Sequence, residues 1–401
     1  MTPVEETFSR EWASLASIGR HQGSGGYRRY AWTSVDLELR AWFADQAGQR
    51  GLACEQDRNG NQWAWWGDRG PGAIVTGSHL DSVPDGGAYD GPLGVLSGFL
   101  AIDELRQRGI QPARPVAVAC FADEEGARFG VACVGSRLLT GALDPDTARG
   151  LRDSEGFTLA EAMRRAGTDP AAIGEDTDVL GRIGAFVELH VEQGRGLEAP
   201  VGIATGIWPH GRWRLRLTGE ANHAGTTRLA DRRDPMLPYA AAVLAARQAA
   251  QRAGALATFG KVTVVPGGTN AIASVVDGWL DARAADEATL SAMVEEIAAA
   301  ARSSAAVHGV DVELTAESRT PAVSLDAALA DRVAAAAGGL PALPTGAGHD
   351  AGILAARVPT AMLFVRNPTG VSHSPAESAE AADCVAGIHA LSTVLAELAC
   401  R

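Results

Sequence analysis

Four short apolar runs, spread along most of the chain, constrain the fold more than any other feature of the sequence. They cover residues 73–76, 116–121, 183–189 and 360–365. Helical patterns lie between them, and the clearest, Pro92–Arg108, has proline at its first position and Gly109 after its end. Apolar strands that alternate with helices are typical of a parallel sheet. The sequence therefore predicts an α/β fold with a mixed, largely parallel sheet and flanking helices.

The pattern changes between residues 205 and 316. The expected order there is strand, helix, strand, strand, helix, strand, at residues 213–218, 235–251, 258–265, 274–283, 285–307 and 311–314. That order is the one of a ferredoxin-like unit. A chain of 401 residues is also long enough for two or three domains. We predict an inserted α+β domain of residues 205–316 and a first domain of residues 1–204 and 317–401.

Imidazole and carboxylate side chains follow each of the four apolar runs. They are His79, Asp81, Asp90, Glu124, Glu125, His190 and His373. Ligands of such sheets bind outside the carboxyl ends of the strands, so these side chains are expected to converge. The alternative for the adjacent acids at 124 and 125 is a solvated charge pair, which their position after a buried strand disfavours.

The glycine-rich stretch Thr76–Gly94 carries the first three of these groups. Residues two apart on a strand share a side, so His79 and Asp81 are able to act together. A metal-bound imidazole commonly donates its other ring N–H to a carboxylate. We interpret His79 as a ligand, Asp81 as the group that orients it, and Asp90 as a second ligand brought in by the turn. An isolated His-x-Asp pair is more often a polar turn, but the other segments favour the metal interpretation.

The donor types indicate a catalytic metal site. Imidazole and carboxylate donors without cysteine suit zinc, manganese, cobalt or nickel. Two metal ions about 3.5–4 Å apart need one bridging carboxylate and two further ligands each. Six of the groups, His79, Asp90, Glu124, Glu125, His190 and His373, supply five ligands and one further acid. We therefore expect two divalent metal ions (Zn, Mn, Co or Ni) as cofactors.

Net charge bears on the partners of the protein, and cysteine usage bears on its location. The net charge of −13 disfavours nucleic acid and anionic membranes, because phosphate would be repelled. The five cysteines show no C-x-x-C spacing and are too sparse for a disulfide framework. The amino terminus has no signal pattern, and the chain has no run of about 18 apolar residues. We expect a cytoplasmic protein with no membrane span.

A series of motifs resembles those of the ureido-acid amidohydrolases, in the same order and from about residue 20 to residue 395. The motifs are GSHLDSV, GGAYDG, DEEGARFG, GSR, ELHVEQG, ANHAGTT, GGTNAI, DAR, GAGHDA and GVSHSPAE. This group belongs to the zinc aminoacylase and carboxypeptidase superfamily. It includes N-carbamoyl-L-amino-acid hydrolases, bacterial β-ureidopropionases and allantoate amidohydrolases.

The resemblance implies a role for each candidate metal ligand. His79 and His190 would hold one metal ion, Glu125 and His373 the other, and Asp90 would bridge them. Glu124 would be the general base, which takes a proton from water and later gives it to the leaving nitrogen.

The resemblance also implies substrate residues. The inserted domain would carry His223, Asn270 and Arg283 and would form a homodimer contact, with His223 reaching the site of the neighbouring subunit. His223 would stabilise the tetrahedral oxyanion. The planar fork of Arg283 fits a substrate carboxylate, although a surface salt bridge is the alternative. Asn270 is otherwise a turn residue. Further substrate contacts would come from Gln193, Gly348 and His349.

The sequence departs from the pattern of the group at several positions, none of which is a ligand or the base. They are Tyr89, Pro92, Trp208, His210, Trp213, Arg228 and Arg366. These departures leave the substrate side chain open.

The expected activity is hydrolysis of the ureido C–N bond of an N-carbamoyl-L-amino acid, which yields the amino acid, ammonia and carbon dioxide. Allantoate is the nearest alternative substrate, because it is also a ureido carboxylate. An aminoacylase or dipeptidase is more remote, since His190 stands where several peptidase relatives have Asp. A metal-binding protein without turnover is the alternative from another class, and the presence of Glu124 and His223 weighs against it.

Overall fold

The computed structural model describes residues 3–400, which form two compact units. The first unit runs to Thr205 and resumes at Ser324, and the second spans Gly206–Val323. The return to the first unit was expected at residue 317, which lies inside a strand of the second unit that continues to Thr320.

The described residues form the following helices and strands. The helices are α1 Pro3–Ala16, α2 Ser34–Gln49, α3 Pro92–Gln107, α4 Val134–Thr140, α5 Pro145–Gly150, α6 Leu159–Arg165, α7 Thr177–Leu180, α8 Met236–Ala253, α9 Glu287–His308, α10 Ala327–Ala336, α11 Asp350–Leu354 and α12 Ala381–Cys400. The strands are β1 Ala53–Gln56, β2 Gln62–Trp66, β3 Ala73–His79, β4 Val116–Phe121, β5 Ile183–Val191, β6 Val201–Ile207, β7 His210–Thr218, β8 Asn222–His223, β9 Leu256–Val265, β10 Ala271–Ile272, β11 Val275–Arg283, β12 Asp311–Thr320, β13 Val323–Ser324, β14 Ala342–Thr345 and β15 Thr360–Val365.

The first unit is built on a nine-stranded sheet. Its order is β1-β2-β4-β3-β5-β15-β6-β13, with β14 paired to β6. The four central strands are mutually parallel, and antiparallel strands flank them on each side. The predicted fold class, a mixed and largely parallel sheet, is therefore confirmed.

Helices cover both faces of this sheet, which explains why the central strands are continuous apolar runs. Successive strand residues point to opposite faces. Ile74, Leu189 and Leu363 pack into a core with α3 and α12, whereas Val75 and Phe364 belong to the core on the other face.

Among the described residues, one helix is long and apolar enough to cross a membrane by composition. This is α12, with a mean hydropathy of 1.4 over its most apolar window. This helix was not expected from the sequence to resemble a membrane span, because polar residues such as Asp383 and His389 interrupt its apolar run. Since 61% of the window is buried in the protein, the apolar character of α12 is that of a core helix.

The second unit has a four-stranded antiparallel sheet of order β12-β7-β11-β9. Trp213, Leu215 and Leu217 on β7 alternate toward a core shared with α8 and α9, while the arginines between them are more exposed. The βαββαβ order agrees with the predicted ferredoxin-like fold. A short ladder of β8 and β10 completes the unit.

Candidate metal centre

The register of the parallel strands brings the candidate ligands to one edge of the sheet. His79 is the last residue of β3, and His190 is the next-to-last residue of the neighbouring β5. The acidic pair Glu124 and Glu125 follows β4 after a turn, and His373 lies in the loop after β15. Since these strands are parallel, their carboxyl ends meet at the same edge.

His79, Asp90 and His190 form a first group of donors. Their ligand atoms lie within 4.8 Å of one another, and all three side chains are buried. Asp90 Oδ1 is 3.6 Å from His79 Nε2 and 3.2 Å from His190 Nε2. This group matches the first metal position that the resemblance implies.

Asp90, Glu125 and His373 form a second group of donors on the same scale. His373 Nε2 lies 3.2 Å from Asp90 Oδ2 and 3.7 Å from Glu125 Oε2. Asp90 thus belongs to both groups, with Oδ1 facing the first and Oδ2 facing the second. That is the arrangement of a carboxylate between two cations.

The hydrogen bonds of the imidazoles show that a cation fits the first group. His79 Nδ1 is 3.1 Å from the backbone oxygen of Asp81, and His190 Nδ1 is 2.8 Å from that of Val191. A carbonyl only accepts, so we assign the ring proton to Nδ1 in both histidines. In the neutral form of each ring the Nε2 lone pair faces an Asp90 oxygen, and the repulsion is removed by a positive charge between them, either a second ring proton or a metal ion. His190 Nε2 makes no hydrogen bond within residues 3–400, so its 3.2 Å approach to Asp90 Oδ1 lacks hydrogen-bond geometry.

The electrostatics of the pocket also favour cations. Burial alone lowers the pKa of His79, but Glu124 and the other carboxylates more than offset this effect, so the pKa lies well above its usual value. Burial, reinforced by Asp90, raises the pKa of Glu125 to about 7. Glu125 Oε1 is buried without a hydrogen-bond partner in the described chain. Divalent cations would relieve the repulsion between the carboxylates of Asp90 and Glu125 and would provide a partner for Glu125 Oε1.

Asp81 contacts both His79 and the acidic turn. Its Oδ1 lies 3.5 Å from His79 Nδ1, farther than its own backbone oxygen, which is 3.1 Å from the same nitrogen. The same carboxylate accepts hydrogen bonds from the backbone N–H groups of Glu124 (3.1 Å) and Glu125 (3.0 Å). Asp81 therefore fixes the peptide that carries the candidate base, a contact that its spacing from His79 did not predict.

Glu124 lies at the edge of the first donor group. Its Oε2 is 3.7 Å from His79 Nε2, and its Oε1 accepts a hydrogen bond of 3.1 Å from the thiol of Cys133. Burial raises the pKa of Glu124 well above its ordinary value. A buried carboxyl with a raised pKa is suited to exchange protons near neutral pH.

Several residues around this centre adopt strained backbone conformations. Positive φ angles occur at Asp123 (55°), Cys133 (56°), Gln193 (59°) and His373 (53°). Such angles are uncommon outside glycine and concentrate at functional sites. Gly91, at φ 86°, lies against the His79 ring, where a Cβ would come within 2.4 Å of Cε1. Glycine is therefore required where the turn closes on this ligand.

The predicted substrate residues of the first unit also lie at the centre. Gln193 donates from Nε2 to Asp90 Oδ2 at 2.6 Å. The ring of His349 lies 4.5 Å from that of His190, and burial lowers the pKa of His349 well below its usual value. The adjacent Gly348 is exposed.

The predicted residues of the second unit fall at two separate places in that unit. His223 and Asn270 lie close together, since Ala224 donates its N–H to the backbone oxygen of Asn270 and β8 pairs with β10. Arg283 ends β11 at the other end of the sheet, opposite His210. Arg283 Nε donates to Asp281 at 2.8 Å.

Sequence reasoning missed several buried acids near the centre. Glu188 accepts hydrogen bonds from Ser78 Oγ and the Ala351 N–H. It also lies with His190 and His349 in a third donor group, but its two oxygens are already engaged. Glu377 contacts the backbone of Asp90. Their position in the motifs ELHVEQG and GVSHSPAE was the only available signal.

Comparison with known proteins identifies the family. Residues 75–397 match the profile of peptidase family M20/M25/M40. An N-carbamoyl-L-amino acid amidohydrolase of Geobacillus stearothermophilus is 38% identical, over 97% of this chain and 98% of the relative. An allantoate amidohydrolase of Escherichia coli is 33% identical, over 99% and 97%. A crystal structure of a hydantoinase/carbamoylase family amidase from Burkholderia multivorans has a TM-score of 0.88 and 31% identity, over 99% and 98%.

The chain therefore belongs to peptidase family M20/M25/M40, within its ureido-acid amidohydrolase group. It is an enzyme of the amidohydrolase class, as the resemblance in the sequence implied.

Proposed function

We propose that this enzyme hydrolyses the ureido C–N bond of an N-carbamoyl-L-amino acid with the help of two divalent metal ions. The observation that carries the proposal is the position of Asp90, whose two oxygens face two separate donor groups beside Glu124. The relative with 38% identity, named for this substrate class, supports it.

The proposed centre uses the two donor groups as they stand. His79 and His190 would hold one cation, Glu125 and His373 the other, and Asp90 would lie between them. Such cations, when bound, polarise a carbonyl oxygen and lower the pKa of water. A urea carbonyl is a poor electrophile, so this assistance suits the reaction.

Glu124 would move the protons of the reaction. It takes a proton from the attacking water, whose oxygen joins the carbonyl carbon, and passes that proton to the nitrogen as the C–N bond breaks. The remaining carbamic acid loses carbon dioxide, so the products are the amino acid, ammonia and carbon dioxide. Two contacts hold Glu124 in place: the Cys133 thiol donates to its side chain, and the Asp81 carboxylate accepts from its backbone N–H.

Substrate binding would involve both ends of the second unit. Arg283 pairs through Nε and Nη2 with the two oxygens of Asp281 and would bind the substrate carboxylate through the other edge of its guanidinium group. The nine residues of β11 separate Arg283 from the end near His223 and Asn270 by about 26 Å. One small substrate is too short for that span, so we propose that His223 and Asn270 serve the site of a second copy.

A homodimer formed through the second unit would supply that copy. The edge strand β9 exposes Leu256, Val262 and Val265, and the neighbouring α8 exposes Leu244. An apolar edge strand is a template for pairing with another chain. We also infer a cytoplasmic location, which agrees with five free cysteines.

The test measures ammonia release from a panel of N-carbamoyl-L-amino acids and allantoate, and the release of free amino acids from dipeptides. The enzyme is first treated with a chelator and then supplied with Mn²⁺, Co²⁺ or Zn²⁺. We expect release from N-carbamoyl-L-amino acids only after metal is restored. Release from no ureido compound with any of these metals would contradict the proposal.

Allantoate is a second candidate substrate, favoured by the relative that is 33% identical over 99% of this chain. Allantoate also joins a ureido group to a carboxylate, so the same residues would bind it. A kcat/KM that is higher for allantoate than for every N-carbamoyl-L-amino acid would select this alternative. Dipeptides test the more remote aminoacylase or dipeptidase activity.

A further inference from the structure

Glu377 lies at a junction of two loops and has no part in the chemistry proposed above. Only 6% of its surface is exposed. Its Oε1 accepts hydrogen bonds from the backbone N–H groups of Tyr89 (2.8 Å) and Asp90 (3.0 Å). Its Oε2 accepts one from the Ser372 hydroxyl at 3.0 Å. One carboxylate thus contacts the loop after β3 and the loop after β15.

The packing around Glu377 is close enough to demand a glycine. A Cβ on Gly87 would lie 2.3 Å from Glu377 Cδ and 2.4 Å from Oε1. Real Cβ atoms do not approach other atoms so closely, so Gly87 lets the loop close directly on the carboxylate. The requirement for glycine here comes from Glu377 itself, since the three nearest atoms all belong to that side chain.

The two loops joined by Glu377 carry ligands of both donor groups. Asp90 is held at its own backbone N–H, 287 positions away in the chain. Ser372 immediately precedes His373, and its hydroxyl also lies 3.4 Å from Asp90 Oδ2. Moving Glu377 would therefore shift Asp90 relative to His373, although Glu377 itself belongs to neither donor group.

We propose that Glu377 is a positioning residue of the metal centre, which joins the Asp90 loop to the His373 loop by hydrogen bonds rather than by its charge. This inference rests on the proposed two-metal site and assigns to Glu377 the alignment of Asp90 between the two donor groups. Residues that orient metal ligands commonly change metal affinity by about 10- to 100-fold when they are removed.

The test compares Co²⁺ binding by the Glu377→Ala and Glu377→Gln variants. Binding is measured from the visible absorption spectrum and from the metal content per chain. The Gln amide oxygen is able to accept both backbone N–H groups, and its NH₂ is able to donate to Ser372. We expect Glu377→Ala to bind Co²⁺ about 10- to 100-fold more weakly, with a changed spectrum. Glu377→Gln should bind within a few-fold of the wild type. Equal losses in both variants, or no loss in Glu377→Ala, would overturn the proposal.

Two further variants and one control keep the test decisive. Gly87→Ala retains Glu377 but forces it away, and it should reproduce the weaker Co²⁺ binding of Glu377→Ala. If Glu377→Ala does not fold, Ser372→Ala removes one of the three hydrogen bonds, and unchanged Co²⁺ binding there contradicts the proposal. Glu380→Ala removes an exposed carboxylate three residues away and serves as the control for charge and folding.

The outcome is separate from that of the proposed reaction. A wild type that binds two Co²⁺ ions but releases no ammonia from ureido compounds would remove the proposed substrate and leave the role of Glu377 intact. Ammonia release by a Glu377→Ala variant with unchanged Co²⁺ binding and kcat would do the reverse.

Discussion

Adjacent acids in this chain have different surroundings, and the surroundings set what each is able to do. Glu125 shares a donor group with Asp90 and His373, whereas Glu124 faces His79 from the side and accepts from a thiol. Both lie on a peptide held by the Asp81 carboxylate. The same residue type therefore supplies a candidate ligand and a candidate base within two positions.

Replacing the candidate base separates metal binding from catalysis. Glu124→Gln keeps the size of the side chain and removes its ability to take a proton. We expect kcat to fall about 10²- to 10⁴-fold, while metal content stays at the wild-type level. Steady-state kinetics and elemental analysis of the same sample check this. A Glu124→Gln enzyme with near wild-type kcat would show that another group is the base.

Asp85 gives a residue-scale prediction about acid stability. The hydrogen bond from Arg28, and to a lesser extent the one from Ser24, lowers the pKa of Asp85 from 3.8 to about 2. The folded chain thus binds this proton less readily than the unfolded chain. The contribution of Asp85 to stability is complete above the unfolded value and is lost as pH falls through the folded value.

Asp85→Asn should therefore lower the free energy of unfolding at neutral pH. The difference in this free energy between variant and wild type should shrink as the pH falls below about 4. Urea unfolding at a series of pH values measures this difference. Asp331→Asn, at an exposed position on α10, is the control. A difference for Asp85→Asn that stays constant with pH would contradict the assignment.

At the scale of elements, the position of α3 on the sheet depends on one glycine. A Cβ at Gly94 would lie 2.2 Å from the backbone oxygen of Leu189 on β5. A backbone atom in a central strand has little freedom to move. The first turn of α3 therefore lies directly on β5, one residue from the candidate ligand His190.

Gly94→Ala should lower the free energy of unfolding by about 1–3 kcal/mol, because overpacking forces the helix away from the sheet. Gly48→Ala near the end of α2, where a Cβ meets open space, is the matched control. That control should be neutral or stabilising by up to about 1 kcal/mol. Urea unfolding of both variants tests the pair, and equal stabilities would show that the close contact is relaxed at no cost.

At the scale of the whole molecule, the proposed function requires a second copy. The separation of Arg283 from His223 along the second unit is fixed by the length of β11. Each site would then combine Arg283 of its own chain with His223 of its partner. Neither single variant would have a complete site in its own homodimer.

Mixing two inactive variants tests this arrangement. His223→Ala and Arg283→Ala should each lower activity strongly when expressed alone. Co-expressed chains should recover about a quarter of the wild-type activity, because half of the randomly formed dimers carry one intact site each. Ammonia release from the purified mixture measures the recovery, and complete absence of recovery in confirmed mixed dimers would place both residues in the same chain's site.

Much of the architecture is readable in the sequence because it rests on local patterns. The central strands are buried on both faces, so β3, β4, β5 and β15 appear as apolar runs. The donors after them were recognisable because imidazoles or acids follow every one of these strands, and the motif order identified the family. Helix α12 shows the limit of such patterns, since its hydropathy is that of a membrane span and its burial that of a core helix.

The sequence by itself determined which side chains are available as ligands, base and substrate contacts, and on which elements they lie. Only the tertiary structure decided that Asp90 faces two donor groups, that Asp81 holds the acidic turn and that Glu377 joins two loops. The physical reason is that these contacts join residues far apart in the chain. They form through the register of parallel strands and the close packing of loops at one edge of the sheet, which no local pattern of residues encodes.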